Sequence, residues 1–384
     1  MAATKTYDVA VVGAGVFGTW TAYQLKQRGM KVALLDAYGP SNSRASSAGE
    51  SRIIRFGYGK DEIYSRWAMR ALPLWRQFSD RVRQPLFNQT GVLWLAHRPD
   101  GYEQDCLATL TKLGASCKRL GREEVGHAYP QFNLDSVTWA LFEPESGVLM
   151  ARQAVQAVVA EAQREGVEYL NAQVPAPQGS GKIACLALQN GESVSAGTFV
   201  FACGPWLPKV FPDVLASRIF PTRQTVLFFA PPPGDMSFAP PAMPCWFHHP
   251  ALVYGIPDLE NRGFKISIDR HGPAFDPDTG SRVPGGEEIG AARAYLEQRF
   301  PKLRGAPLTE SRVCQYENTS NGDFILDRHP HLENVVIAGG GSGHGFKHGP
   351  AVGDYVARLL TGGIEAEPRF ALAAKAAVQS RSVY

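Results

Sequence analysis

Tyr7-Asp8-Val9-Ala10-Val11-Val12-Gly13-Ala14-Gly15-Val16-Phe17-Gly18 is the stretch on which the fold reading turns. The run from Tyr7 to Val12 is short, apolar and of strand type, and it delivers the chain into a GxGxxG turn. Trp20, Tyr23 and Leu25 then recur at helical spacing until Gly29 stops the helix. Lys31 to Leu35 reads as a second strand and ends on Asp36. Gly13 permits the tight turn, Gly15 lets backbone approach a pyrophosphate, and Gly18 lets the helix pack close to the strand. The first helical turn, with Val16 and Phe17, offers free N–H groups and the positive end of the helix dipole to phosphate. Asp36 stands 23 residues after Gly13, where an acid accepts hydrogen bonds from a ribose. This βαβ unit predicts dinucleotide binding.

Outward from it, residues 61–82 predict a helix with Ile63, Trp67, Ala71, Leu74, Trp75 and Phe78 on one face and a kink at Pro73. Residues 91–96 read as a strand and 151–164 as a helix capped by Gly166. Thr198 to Cys203 is a buried strand closed by Gly204-Pro205-Trp206. Between about 220 and 313 the texture changes to alternating segments (224–229, 263–268) among proline-rich turns, which predicts an antiparallel sheet in a separate layer. Val335 to Ala338 is again a buried strand, followed by Gly339-Gly340-Gly341-Ser342-Gly343-His344-Gly345 and a helix over 351–360. The nucleotide fold is therefore expected to be completed from C-terminal segments.

Composition narrows the function. The 384 residues carry 39 Lys+Arg against 36 Asp+Glu, so nothing points to nucleic acid. No stretch approaches the roughly 18 apolar residues of a membrane helix, and the start of the chain lacks the cleavage site of a signal peptide. Six cysteines stand singly with no CxxC pair, which argues against a disulfide framework or zinc site and for a reducing compartment. The acceptor sequons at Asn88 and Asn318 mean little without secretion, and the Ser382-Val383-Tyr384 tail is not a peroxisomal address. The cytoplasm is the expected location. His344 and His348 are four apart, but glycines crowd them and no third ligand is evident, so no metal is expected. His248, His249, His329 and His331 are expected at the surface or behind the site.

Three segments together resemble the sarcosine oxidase family of FAD-dependent amine oxidases, which includes monomeric sarcosine, N-methyltryptophan, pipecolate and fructosyl-amino-acid oxidases. They are Ser43 to Arg55, with its SRIIR string; Cys314-Gln315-Tyr316 with Gly322 to Pro330; and Asn334 to Lys347, with SGHGFK. Tyr254-Gly255-Ile256-Pro257 and Lys265 are similar to further family landmarks. The resemblance implies an α/β protein. A Rossmann-type FAD-binding domain would be assembled from residues 1–87, 149–212 and 321–384. An α+β substrate domain with an antiparallel sheet would take 88–148 and 213–320. It implies oxidation of a secondary amine in an N-substituted or cyclic amino acid: a hydride equivalent passes to flavin, the imine hydrolyses, and O2 becomes hydrogen peroxide. A flavin-dependent amino acid dehydrogenase serving an electron carrier, or a fructosyl-amino-acid oxidase, is the alternative. A monomer with a carboxylate-bearing small-molecule substrate, and no membrane or nucleic-acid partner, is expected.

The resemblance also implies roles. Cys314 matches the position that forms a thioether to the flavin ring. Arg55 and Lys347 match the pair that grips the substrate carboxylate, a two-pronged fork beside a point charge. Lys265 matches the oxygen-activating lysine, and Tyr254 and Tyr316 complete the catalytic set. Cofactor contacts are expected from Gly13, Gly15, Val16, Phe17, Gly18, Asp36, Arg44, Ser46, Ser47, Arg52, Val174, Gly204, Trp206, Cys314, Gly341, Gly343, Gly345 and Lys347. Two positions depart from the family pattern: many relatives carry histidine where Ala48 and Asp269 stand. Asp269 is open to two readings, a partner for a second amine or amino sugar, or a mere partner for Arg270.

Overall fold

The computed structural model describes residues 5–381; the first four residues and the Ser382-Val383-Tyr384 tail lie outside the described residues. Lys5–Val12 runs as a strand, Val16–Gln27 as a helix and Val32–Asp36 as a parallel neighbour strand, with Val12 opposite Leu35. Ser193–Phe201 flanks Lys5–Val12 on the other side, also in parallel, and Val335–Gly339 extends the sheet beyond it. Glu168–Asn171 closes one side, and Ile325–Arg328 is antiparallel at the other. Strands from the start, middle and end of the chain thus form one sheet whose central members are apolar on both faces, as a sheet covered on both sides requires. Gly13 has φ +106°, and a Cβ there would lie 2.4 Å from the Ala202 carbonyl oxygen. Only glycine fits where Lys5–Val12 and Ser193–Phe201 end side by side.

The helix Val16–Gln27 is clamped to the C-terminal helix Gly349–Leu360. A Cβ on Gly353 would sit 2.5 Å from the Trp20 carbonyl carbon, so small residues set this close approach. Trp20 meets Trp75 edge to face at 5.0 Å, within the helix Glu62–Val82. That helix runs through Pro73 without interruption, and Pro73 is exposed, where water can replace the missing ladder bond. Its buried face is Tyr64, Ala68, Ala71, Leu72, Trp75 and Phe78. The expected face is therefore rotated slightly: Ile63, Trp67 and Leu74 are only half-buried.

A second sheet of eight strands runs from Leu308–Thr319 through Ile219–Phe229, Phe264–Ile268, Val253–Ile256 and Cys245–His248 to Val92–Ala96, Trp139–Glu143 and Lys118–Gly121. It is antiparallel except where Cys245–His248 lies parallel to Val92–Ala96. That exception follows from connectivity: the two strands belong to distant segments and are free of hairpin geometry. The long pairing of Ile219–Phe229 with Leu308–Thr319 carries Cys314 and Tyr316 toward the mouth of the nucleotide sheet.

Candidate active site

A cavity opens at the carboxyl ends of the parallel strands, where α/β folds place ligands. It runs from Asp36, Tyr38 and Val174 past Gly13, Gly15 and the start of the first helix to Cys314, Tyr316 and Gly343. The expected residues Val16, Phe17, Ser46, Ser47, Arg52, Gly204, Trp206, Gly341 and Gly345 also line it. Gly18, Arg44 and Lys347 do not, and Lys347 lines the neighbouring pocket instead. Gly18 lies behind the turn, where a Cβ would be 1.8 Å from the Gly13 carbonyl oxygen, so its part is packing. Arg44 lies over the Tyr38 ring at 5.1 Å, and its carbonyl accepts from Gln315 Nε2 at 2.6 Å.

The turn is built to receive a long polar ligand. Ala14 N–H donates to Asp36 Oδ2 at 2.7 Å and Val16 N–H to Ser47 Oγ at 3.0 Å, which fixes loop, helix start and second strand together. A Cβ on Gly15 would meet nothing nearer than Ser47 Oγ at 3.5 Å, so the glycine keeps the backbone bare toward the cavity. Ser46 Oγ, Gln315 Oε1 and Glu317 Oε2 are buried, line the same cavity, and lack a hydrogen-bond partner among the described residues. Buried polar atoms left in this state are costly unless a ligand completes them. The glycine cradle, the acid at the second strand and these open polar atoms fit FAD.

Glu317 was not singled out in the sequence. Its Oε1 accepts from Gly341 N–H at 3.1 Å, and burial pushes its carboxyl up to about 7. Between pH 4.5 and 7 the folded protein therefore holds more protons here than the unfolded chain, and this group's contribution to stability falls as pH rises through that window. Glu317→Gln should gain stability relative to the parent on going from pH 5 to pH 8, by up to roughly 3 kcal/mol. Unfolding midpoints that differ equally at both pH values would remove this reading.

A second, tighter pocket adjoins the cavity and shares Arg52, Tyr316, Gly343 and Phe346 with it. It brings together Arg55, Tyr254, Asp269 and Lys347, with Phe247 as a wall. Arg55 leaves the short strand Arg52–Ile54 and packs its guanidinium on Tyr58, Trp94 and Phe247 at 4.5, 4.9 and 5.1 Å. Lys347 sits in the middle of the turn Phe346–His348 before the last helix and donates to Tyr58 Oη at 2.7 Å and to the His344 carbonyl at 2.8 Å. Burial, then Arg55, holds its amine well below the usual lysine range. Tyr316 Oη donates to Asp269 Oδ1 at 2.6 Å, and burial pushes that carboxyl up to about 6. Asp269 thus faces the pocket through a bond to Tyr316. Burial likewise pushes the Tyr254 phenol up to about 12.

Lys265 is elsewhere. Its strand, Phe264–Ile268, is buried on both faces, so the alternation that usually sends a lysine to solvent does not apply. It is 1% exposed, donates to Ser51 O at 2.7 Å, and lines a third cavity with Ala48, Phe228, Arg52 and Cys314. Arg52 borders all three cavities and donates to Cys314 Sγ at 3.2 Å. Of the two places expected for His248, the surface is excluded: it is buried in the second sheet and bonded to Tyr295 Oη at 2.6 Å. Tyr58, with His344 and His348 bonded to it at 3.3 and 2.8 Å, was missed as the floor beneath Lys347; its only sequence signal is its place three residues after Arg55.

A dinucleotide cavity opening onto a cation-lined pocket beneath a second sheet defines a nucleotide-dependent oxidoreductase. The model of the FAD dependent oxidoreductase family matches residues 8–359. Monomeric sarcosine oxidase of Bacillus sp. (strain B-0618) is 32% identical over 375 residues, covering 94% of this chain and 93% of that protein. The peroxisomal sarcosine oxidase of Homo sapiens is 30% identical over 372 residues, covering 94% and 93%. The crystal structure of L-proline dehydrogenase from P. horikoshii shares the fold, with a TM-score of 0.84 at 22% identity over 96% of this chain and 98% of that one. The chain belongs to the FAD-dependent oxidoreductases, in the sarcosine oxidase family of flavin-dependent amine oxidases. Among the described residues no helix is long and apolar enough to cross a membrane.

Proposed function

We propose that the protein oxidises the secondary amine of a small N-substituted or cyclic amino acid, with O2 as the acceptor. The observation that carries this is the pairing of two buried cations, Arg55 and Lys347, with Asp269 in one pocket beside the FAD cavity. When bound, the flavin supplies the two-electron acceptance of a hydride from the carbon beside nitrogen and passes the electrons to O2, which yields hydrogen peroxide.

The chain's residues place the substrate. Arg55 and Lys347 hold the carboxylate, the guanidinium by two N–H bonds and the lysine by one. Asp269, oriented by Tyr316, accepts from the amine N–H at the opposite side. Phe247, Tyr254 and Phe346 wall the pocket and exclude water. The FAD-binding domain is 1–87, 149–212 and 321–384 and the substrate domain 88–148 and 213–320, with Cys314, Gln315 and Glu317 reaching the FAD cavity from the latter. A reducing, cytoplasmic setting suits the six free cysteines.

Cys314 lines the FAD cavity and accepts from the Arg52 guanidinium at 3.2 Å through its sulfur. This sulfur would hold the flavin ring through a thioether. Acid precipitation should leave colour in the pellet of the parent protein and release all flavin from Cys314→Ser; colour in both supernatants would refute the link. The overall function is tested by an anaerobic screen of N-methyl, cyclic and sugar-linked amino acids. Bleaching of the flavin band by an amine bearing a free carboxylate, and much more slowly by its amide, is expected. Failure of every carboxylate amine to bleach it would overturn the reading.

A further inference from the structure

A guanidinium presents two parallel N–H bonds to a carboxylate only while its plane is held, so the groups that hold Arg55 matter to the reaction. Its side chain packs on the rings of Tyr58, Trp94 and Phe247 and donates through Nη1 to the Gly57 carbonyl. Two of these supports, Trp94 and Gly57, lead to one side chain that lines none of the three cavities, Glu143.

Glu143 ends the strand Trp139–Glu143 of the second sheet and is fully buried. Its Oε1 accepts from Gly57 N–H at 3.0 Å and from Trp94 Nε1 at 2.8 Å; its Oε2 accepts from Phe56 N–H and from Ser146 Oγ, both at 2.6 Å. Two bonds at each oxygen is the full capacity of a carboxylate. All but the Ser146 hydroxyl are N–H donors, which cannot turn round to accept. Phe56 and Gly57 are the residues that follow Arg55 in the chain, and Trp94 is a ring on which its guanidinium lies at 4.9 Å. The Gly57 peptide is gripped at both ends, its N–H by Glu143 and its carbonyl by Arg55. A Cβ on Gly57 would lie 3.1 Å from Glu143 Oε1 and from Trp94 Cζ2, so the missing side chain lets these groups close on one another. The short strand Arg52–Ile54 belongs to a separate three-stranded sheet, and Glu143 ties the segment that leaves it to the second sheet.

We propose that Glu143 is a positioning residue for Arg55: by fixing the Phe56–Gly57 backbone and the Trp94 ring, it sets the plane of the guanidinium toward the substrate carboxylate. This rests on the carboxylate-site reading above. A role through charge alone has the opposite sign. Glu143 is a negative charge that acts on Arg55 and Lys347, and its removal would leave both cations freer to attract an anion. Glu143→Gln separates the two roles. The amide keeps the shape, but its NH2 end must face a fixed donor, either Phe56 N–H or the pair from Gly57 and Trp94, and cannot bond it.

The test is a double-mutant cycle in the flavin-loaded protein. It is read as the second-order rate of anaerobic flavin bleaching by whichever of the N-methyl, cyclic and sugar-linked amino acids, sarcosine and L-proline among them, reacts fastest. Glu143→Gln should lower that rate about 10- to 100-fold, the span expected when hydrogen bonds to a buried charge are lost. In an Arg55→Met background the same change should lower it by less than about twofold, because the group being positioned is gone. Reoxidation of the reduced flavin by O2 should be unchanged in Glu143→Gln, since Lys265 lines another cavity. An equal loss in both backgrounds would overturn the proposal, because it would show a general disturbance of the pocket. A rate that Glu143→Gln leaves unchanged or raises would also overturn it, a raised rate marking the charge role. If Glu143→Gln does not retain flavin, Glu143→Asp carries the same cycle with the same outcomes, since it keeps the charge and draws the oxygens back from the N–H groups. A parent that no carboxylate amine reduces, or that Arg55→Met does not slow, would defeat the carboxylate-site reading itself and this proposal with it.

Discussion

Lys265→Met is expected to slow reoxidation of the reduced flavin by O2 by about 100- to 1000-fold, the loss typical when one preorganised charge is taken from a dry site. Anaerobic reduction by substrate should change little. The separation follows from placement. Lys265 lines the cavity that holds Ala48, Phe228 and Cys314, whereas Arg55, Asp269 and Lys347 line the neighbouring pocket proposed for the substrate. Electron transfer to O2 builds negative charge on oxygen. Burial, then Arg52, holds the Lys265 amine well below its usual range, so its charge is poorly satisfied and an anion beside it is strongly favoured. Ser51 O and Oγ, at 2.7 and 3.2 Å, fix the amine in place before the charge arrives. Methionine keeps the bulk of the side chain and removes the charge together with its bonds to Ser51. Rapid mixing of prereduced protein with oxygenated buffer measures the step; an unchanged rate would end the assignment.

The second large effect is expected at Arg55. Arg55→Met should lower kcat/KM for a carboxylate-bearing substrate by on the order of a thousandfold, because removing one member of a buried charged contact costs about 3–5 kcal/mol. The flavin should stay bound, since Arg55 does not line the FAD cavity. Arg55→Lys should recover only part of the loss. The planar guanidinium is sandwiched by the Tyr58, Trp94 and Phe247 rings, and a lysine neither fills that aromatic cage nor offers two parallel N–H bonds. The amide of the same substrate should lose far less on mutation than the acid. Equal losses for acid and amide in steady-state kinetics would show that Arg55 does not bind the carboxylate.

The nucleotide half was legible because its signals are local. Gly13, Gly15, Gly18 and Asp36 lie within one βαβ unit, and a tight turn that must admit a second backbone accepts only glycine; the cavity lies where they point. The helix Ala151–Arg164 and the strand Val335–Gly339 were equally readable from their periodicity and apolar runs. The cations of the site were legible only as strings, SRIIR and SGHGFK, since nothing in the spacing of Arg55 and Lys347 along the chain says that they meet.

Other features came from packing alone. The buried face of Glu62–Val82 is rotated from the one its pattern suggests, because the neighbours Trp20 and Tyr23 choose which residues are covered. Glu317 is an ordinary acid in the sequence; in the fold, burial raises its pKa against the opposing pull of the Gly341 N–H. Asp269 lines the pocket and is bonded to Tyr316, which the sheet brings to it from the far side of Ile219–Phe229. The sequence by itself determined the nucleotide-binding unit, whose constraints are steric and confined to neighbours in the chain. Only the tertiary structure decided which charges share a pocket and which proton states they hold, because burial and long-range electrostatics depend on every segment that closes around them.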